Sequence, residues 1–339
     1  MNEKLFTRKW KEAAARGRRL VAPLAGFPGL TLTGSTVKLA QQNFGEHYRA
    51  LRALAEAIEP DLVFPMMDLS VEANALGRYT VFPKEESATV VKDDFSPADL
   101  ERARSIAVCY DARLLGYVET LKLMKIGLPP SVMKGAYVIG PYTLAGLLLG
   151  ADEAALGTVL DPAGLHNLCD FTTQKILEYV RLLVAAGAEL VCVLEPSAVM
   201  LGPEQFEEFS GRYVSNICAN LKYTEVAAVY HICGNSMHLV EAMCAAGVEG
   251  VSLDAPETGI DLPAAARRVG TNVAVIGNVN PVGRLLHGTP AEVEAEVGRL
   301  LAAMEPFPNF VLSSGCDLPQ ETPIENIKAF MRAGRAFRR

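Results

Sequence analysis

The 339-residue sequence has no excess of positive charge: 32 Lys and Arg face 39 Asp and Glu, for a formal net charge of −7. Nucleic acid and anionic membranes normally select a basic face, so neither is an expected partner. Small molecules or another protein remain. Cysteine is sparse as well. The seven thiols, at 109, 169, 192, 218, 233, 244 and 316, are odd in number and lack the dense spacing of a disulfide scaffold, which favours a reducing, cytoplasmic setting. The opening MNEKLFTRKWKEAAARGRRL is basic, interrupted by acids and without the apolar centre of a secretory signal. It reads as an amphipathic helix, an N-terminal extension over about residues 1–18. The longest uncharged stretch, GAYVIGPYTLAGLLLGA at 135–151, is broken by Gly140-Pro141 and reads as strand, turn and helix rather than a membrane span. No Pro/Gly/Ser-rich linker, charge block or low-complexity segment divides the chain, so residues 1–339 read as one domain.

What does recur is a short apolar run, a Gly/Pro/Asp/Asn-rich end, and then a stretch with helical spacing. The runs are RLVAPLAG (19–26), DLVFPMMD (61–68), MKGAYVIGP (133–141), AELVCVLEP (188–196), AAVYHICGN (227–235), GVEGVSLDA (247–255), NVAVIGNVNP (272–281) and NFVLSSGCDLP (309–319). Near-continuous apolar runs mark strands buried on both faces of a parallel sheet. Helical stretches between them, such as 165–187 and 289–304, open on Ser, Thr or Pro or end in Gly. Eight such units in one domain predict a (β/α)8 TIM barrel. The competing doubly wound sheet is disfavoured because no G-x-G-x-x-G follows the first run.

A barrel of this kind carries its site at the C-terminal ends of the strands. Those ends supply Asp68, Tyr142, Glu195, His231, Cys233, Asp254, Asn278 and Cys316-Asp317. His231 and Cys233 are two residues apart, so an extended strand projects both to one face and Ile232 to the other. If that face is the barrel mouth, Cys316 from the last strand end can join them. One imidazole and two thiolates form a three-ligand zinc set with an open fourth position. Cysteine is also among the most buried residues, so packing is the competing account of the His-x-Cys pair. Asp68 reads either as a group that orients substrate or a metal ligand, or as an N-cap for the following helix. Glu195 is a buried strand-end carboxylate that needs a partner, either a metal or a residue it holds in place. Turn chemistry accounts for Asp254 and Asp317. Cys109, Cys169, Cys218 and Cys244 fall in helical stretches and Cys192 in mid-strand; His47, His166, His238 and His287 read as packing or surface residues.

The segments GPYTLAG (140–146), EPSAVMLGPEQFEEF (195–209), GNVNPVGRLLHGTPAEVEAEV (277–297) and SSGCDLPQETPIENIKAFM (313–331), taken in this order, resemble the uroporphyrinogen decarboxylase superfamily over nearly the full chain. The resemblance implies a single (β/α)8 barrel. Within the superfamily, the decarboxylases carry an arginine-rich stretch after the first strand and a histidine near the last. Here those positions read VAPLAGFPG and Cys316. The chain is more similar to the corrinoid-linked methyltransferases of the methylcobamide:coenzyme M type, whose zinc ligands match His231, Cys233 and Cys316. That likeness implies zinc, a corrinoid carried by a partner protein, and a small-molecule methyl donor or acceptor such as a thiol, a folate, a methyl ether or an amine. Asp68 and Glu195 are then the expected catalytic carboxylates. Tyr142 and Asn278 are the strand-end positions expected to contact the cofactor, and the loops Pro23–Thr33 and Glu72–Thr80 to meet the corrinoid protein. Two rivals make different demands. A decarboxylase acting on a polycarboxylate tetrapyrrole needs cations at the mouth and no zinc, whereas a ligand-binding barrel with a structural metal needs a fourth protein ligand.

Overall fold

The computed structural model describes residues 3–92 and 95–338. Nine strands are found among them: β1 (Leu62–Val63), β2 (Thr80–Val81), β3 (Thr89–Val90), β4 (Met133–Ile139), β5 (Leu190–Leu194), β6 (Ala227–Ile232), β7 (Gly250–Leu253), β8 (Ala274–Val279) and β9 (Phe310–Ser314). Seven of them form one parallel sheet in the order β1-β4-β5-β6-β7-β8-β9, and β2 and β3 make a separate antiparallel pair. Parallel neighbours need crossovers. The chain returns through helices such as Ala112–Gly127 before β4, Pro162–Ala186 before β5 and Pro290–Ala303 before β9. Their starts follow ordinary capping chemistry: Asp161 accepts the Gly164 N–H, and Thr289 and Glu292 form a capping box.

Alternation along each strand divides the apolar residues into two layers. Val63, Ala136, Val138, Val191, Val193, Ala228, Tyr230 and Val251 pack against the helices. The opposite face curls around a smaller cluster containing Phe64, Met133, Tyr137, Leu190, Cys192, Leu194, Ala227, Val229, Ala274 and Ile276. The expected N-terminal helix is present at Leu5–Ala15, and its Phe6 and Trp10 join that inner cluster.

The first expected strand is reduced to a single bridge, Val21 with Leu312 of β9. Pro23 has no N–H to extend a ladder. The pairing stops at two bonds, Ala22 N–H to Leu312 O (2.9 Å) and Leu312 N–H to Leu20 O (3.0 Å). On its other side, Val21 O accepts the Asp61 N–H (3.1 Å), just before β1. Among the described residues, no single helix is long and apolar enough to cross a membrane.

Candidate functional site

His231 lies in β6 and is almost fully buried, whereas Cys233 just beyond the strand and Cys316 just beyond β9 remain partly exposed. Curling the sheet brings the two strand ends together. His231 Nε2 is 3.2 Å from Cys233 Sγ and 3.9 Å from Cys316 Sγ, and the two sulfurs are 3.6 Å apart. A tetrahedral zinc with ordinary bond lengths requires about 3.6 Å between nitrogen and sulfur and about 3.8 Å between sulfurs. The three atoms therefore stand within about 0.4 Å of the separations such an ion needs. The donor set fits zinc chemically too, since two thiolates balance its charge and the imidazole is neutral. Contact with Cys233, and then burial, holds the Cys316 thiol well above the ordinary value.

The imidazole is held from behind. Its Nδ1 is 3.0 Å from Ser252 Oγ, and Ser252 of β7 is the register partner of His231. With Nδ1–H donated to Ser252, the lone pair on Nε2 faces the sulfurs. The turn after Cys233 is pinned in turn: Asp254 Oδ2 accepts the Gly234 N–H (2.6 Å), and Asn278 Nδ2 donates to Asp254 O (2.9 Å). Gly234 has φ +84°, a left-handed conformation that glycine adopts without strain.

The structure does not bring the expected carboxylates to this cluster. Glu195 is fully buried, with Oε1 accepting the Tyr142 N–H (3.0 Å) and the Ser210 hydroxyl (3.0 Å) and Oε2 accepting the Thr143 N–H (2.7 Å). It caps the N-terminus of helix Pro141–Leu149, where a carboxylate meets unpaired N–H groups and the positive end of the helix dipole. Gly140 makes room, since a Cβ there would lie 2.0 Å from Glu195 Cδ. Tyr142 packs in the layer between sheet and helices, and burial pushes its hydroxyl up to about 12. Asn278 lies at the mouth, where it supports Asp254.

Asp68 is engaged within the loop that leads into helix Val71–Ala75. Oδ1 accepts the N–H and hydroxyl of Ser70 (2.9 and 2.7 Å) at the start of helix Val71–Ala75. Oδ2 accepts the Tyr117 hydroxyl (2.8 Å) and pairs with Arg113. Glu72 lies beside this group, accepts the Ile139 N–H (2.9 Å), and is pushed up to about 7, chiefly by burial. The other histidines stay apart from the cluster. Buried His47 accepts the Met66 N–H (2.9 Å) and is pushed down to about 3 by burial, while His238 bonds to Leu201 O (3.0 Å).

A cavity of about 480 Å³ opens over Asp317, next to Cys316. Phe27, Val37, Met67 and Leu69 supply apolar wall, and Glu85, Glu86, Asp317 and Glu321 are its charged residues. Among the described residues, no Lys or Arg lines it. Asp317 accepts the N–H groups of Met67 (3.1 Å) and Leu318 (3.0 Å), tying the Cys316 turn to the loop after β1. A larger cavity, about 680 Å³, lies at the opposite end of the strands among Asp61, Val132 and Arg335, away from the thiols.

One residue outside the sequence expectation contributes here, Ser252, whose signal is a polar side chain in the apolar run GVEGVSLDA.

Comparison with known proteins agrees with this architecture. A methylcobamide:CoM methyltransferase of Methanosarcina mazei is 29% identical over 204 residues, covering 59% of this chain and 57% of the relative, so the match spans little more than half that protein. A uroporphyrinogen decarboxylase of Anaeromyxobacter dehalogenans is 30% identical over 292 residues, covering 82% of this chain and 81% of the relative. The solved structure of a methyltransferase from Methanosarcina mazei superposes with a TM-score of 0.85 over 98% of each chain at 23% identity, a likeness of fold. The family profile for uroporphyrinogen decarboxylase (URO-D) matches residues 48–337, and the chain belongs to that family.

Proposed function

We propose that the chain is a zinc-dependent methyltransferase that moves a methyl group between a corrinoid, carried by a partner protein, and the heteroatom of a small molecule. The scaffold in this reading is a closed (β/α)8 barrel with residues 19–25 as its eighth stave, supported by the bonds of that segment to β9 and to Asp61. The observation that carries the function is the His231, Cys233 and Cys316 cluster, whose ligand atoms all lie within 4.8 Å of one another. Three protein ligands leave one position for substrate, the pattern of catalytic zinc. When bound, zinc supplies the Lewis acidity that favours a thiolate near neutral pH or polarises a methylated oxygen or nitrogen.

The chain's own residues have separable tasks. Ser252 orients His231, Asp254 and Asn278 hold the Cys233 turn, and Asp317 holds the Cys316 turn against the loop after β1. Glu195 positions helix Pro141–Leu149, and Asp68 with Arg113 braces the loop above β1. Exposed Leu32, which the structure places in helix Gly29–Thr33, and exposed Tyr79, just before β2, lie in the two segments expected to meet a corrinoid protein and offer it apolar contact.

URO-D relatives make decarboxylation the natural rival. Against it, the cavity over Asp317 carries Glu85, Glu86 and Glu321 in its lining and, among the described residues, no Lys or Arg, a setting that repels a polycarboxylate substrate. The test pairs zinc analysis with methyl transfer. Purified protein should hold one equivalent of zinc and transfer methyl from methylcobalamin to a thiol or folate, or from a methyl ether or amine to cob(I)alamin. His231→Ala and Cys316→Ala should lose both properties while remaining folded. Metal-free protein whose activity survives in both variants overturns the proposal.

A further inference from the structure

The inner face of β4 presents a tyrosine that no other part of the site accounts for. Tyr137 is 9% exposed, and its hydroxyl is buried without a hydrogen-bond partner among the described residues. A buried hydroxyl left unpaired costs about 1–3 kcal/mol. Phenylalanine would fill the same space without that penalty.

Where the ring stands is fixed by its neighbours. It stacks on Phe64 with centroids 4.5 Å apart and planes 14° from parallel. Phe64 in turn occupies the space left by Gly135, where a Cβ would come within 2.3 Å of its ring. Across the sheet, Tyr137 is in register with Cys192, and Cys192 with Val229. His231 and Ser252 belong to the next inner layer toward the strand ends. A tyrosine side chain is long enough to pass from one layer to the next, since alternate residues on a strand are about 6.6 Å apart. Burial holds the Tyr137 hydroxyl well above the ordinary tyrosine value, so it stays protonated and is available as a donor on the inner face of the sheet.

The polar groups at the neighbouring strand ends are already engaged. Asp317 is occupied by backbone N–H groups, and the His231 nitrogens face Ser252 and Cys233. We propose that the Tyr137 hydroxyl donates a hydrogen bond to the reacting heteroatom of the small-molecule substrate beside the His231–Cys233–Cys316 cluster, making Tyr137 a catalytic residue of the methyl transfer. This rests on the function proposed above and narrows the substrate. Its reacting atom must keep a lone pair for the bond, as a thiolate sulfur or an ether oxygen does and a quaternary ammonium does not.

The experiment compares zinc-loaded wild type with Tyr137→Phe, using methylcobalamin with 2-mercaptoethanol in one arm and cob(I)alamin with a methyl aryl ether in the other. The variant should bind one zinc and unfold at the same temperature or slightly higher, because it loses an unpaired polar atom. With the methyl aryl ether, whose oxygen gains charge as the methyl group leaves, its kcat should fall about 10- to 100-fold, the range for losing one hydrogen bond to a charge-developing atom; with the thiol, whose sulfur loses charge in the transfer, the loss should appear in KM rather than kcat. A second readout is the absorption of the cobalt(II)-substituted protein titrated with 2-mercaptoethanol, in which Tyr137→Phe should bind about tenfold more weakly. Unchanged kcat together with an unchanged titration overturns the assignment. So does a variant that unfolds early or loses zinc, because the hydroxyl then has a structural partner. If wild type itself lacks zinc and methyl transfer, the underlying function fails, an outcome distinct from a normal Tyr137→Phe.

Discussion

Removing the Ser252 hydroxyl tests whether the imidazole is held for a metal or only packed beside two thiols. His231 and Ser252 face each other across β6 and β7, 3.0 Å separates Nδ1 from Oγ, and both side chains are nearly inaccessible to water. Ser252→Ala leaves Nδ1–H without an acceptor, a loss of about 1–3 kcal/mol. If that loss falls on the metal-competent tautomer, zinc affinity drops by about 5- to 150-fold. The range overlaps the about 10- to 100-fold usually found when the outer partner of a metal-bound histidine is removed. Competition between apo-protein and a chromophoric chelator measures it directly. Ser252→Thr, which keeps the hydroxyl, should stay near wild type, and the metal-free Ser252→Ala protein should remain folded. A Ser252→Ala protein with wild-type affinity, alongside His231→Ala with none, refutes the claim that Ser252 sets the imidazole's orientation.

Asp254→Ala removes the acceptor of the Gly234 N–H and should free the turn after Cys233, raising the zinc off-rate about tenfold; chelator-triggered release in a stopped-flow instrument measures it, and an unchanged rate shows that the turn holds without Asp254. Gly140→Ala pushes a methyl group into Glu195 and should lower unfolding free energy by about 1–3 kcal/mol. Denaturant titration checks this, and full stability would mean that Glu195 has room to move. Glu72, with Asp68, Arg113 and Tyr179 around it, is pushed up by burial from 4.5 to about 7. The folded state therefore binds more protons than the unfolded state between those values. Its contribution is complete below about pH 4.5 and lost as pH rises through about 7, a change of about 3 kcal/mol. Glu72→Gln should flatten stability across that window, as measured by denaturant titration at pH 5 and pH 8, and an unaltered slope counts against the buried-acid account.

Strand parity explains which parts of the site the sequence disclosed. His231 and Cys233 were legible because a period of two needs no knowledge of the fold. The thiol of Cys316 lies 83 positions from that of Cys233; sequence pattern offered it as a partner, and the curl of the sheet brings it into range. Glu195 was harder to place, since a strand-end carboxylate looks the same in sequence whether it faces the mouth or a helix. Register decides the matter. Leu194 is the residue paired with His231, so Glu195 is one step out of phase and turns toward the helices. The same arithmetic retains Asn278: Ser252 pairs with Ile276, and two residues further along β8 the chain is again on the inner face. Tyr142 has already left the strand for the helix that Glu195 caps. Polar strand-end residues therefore belong to two sets. The in-phase set, Tyr137, His231, Ser252 and Asn278, shares the inner face of the sheet. Glu195, out of phase, fixes a helix start. A composition-based search at strand ends mixes the two sets, and one register assignment per strand pair separates them.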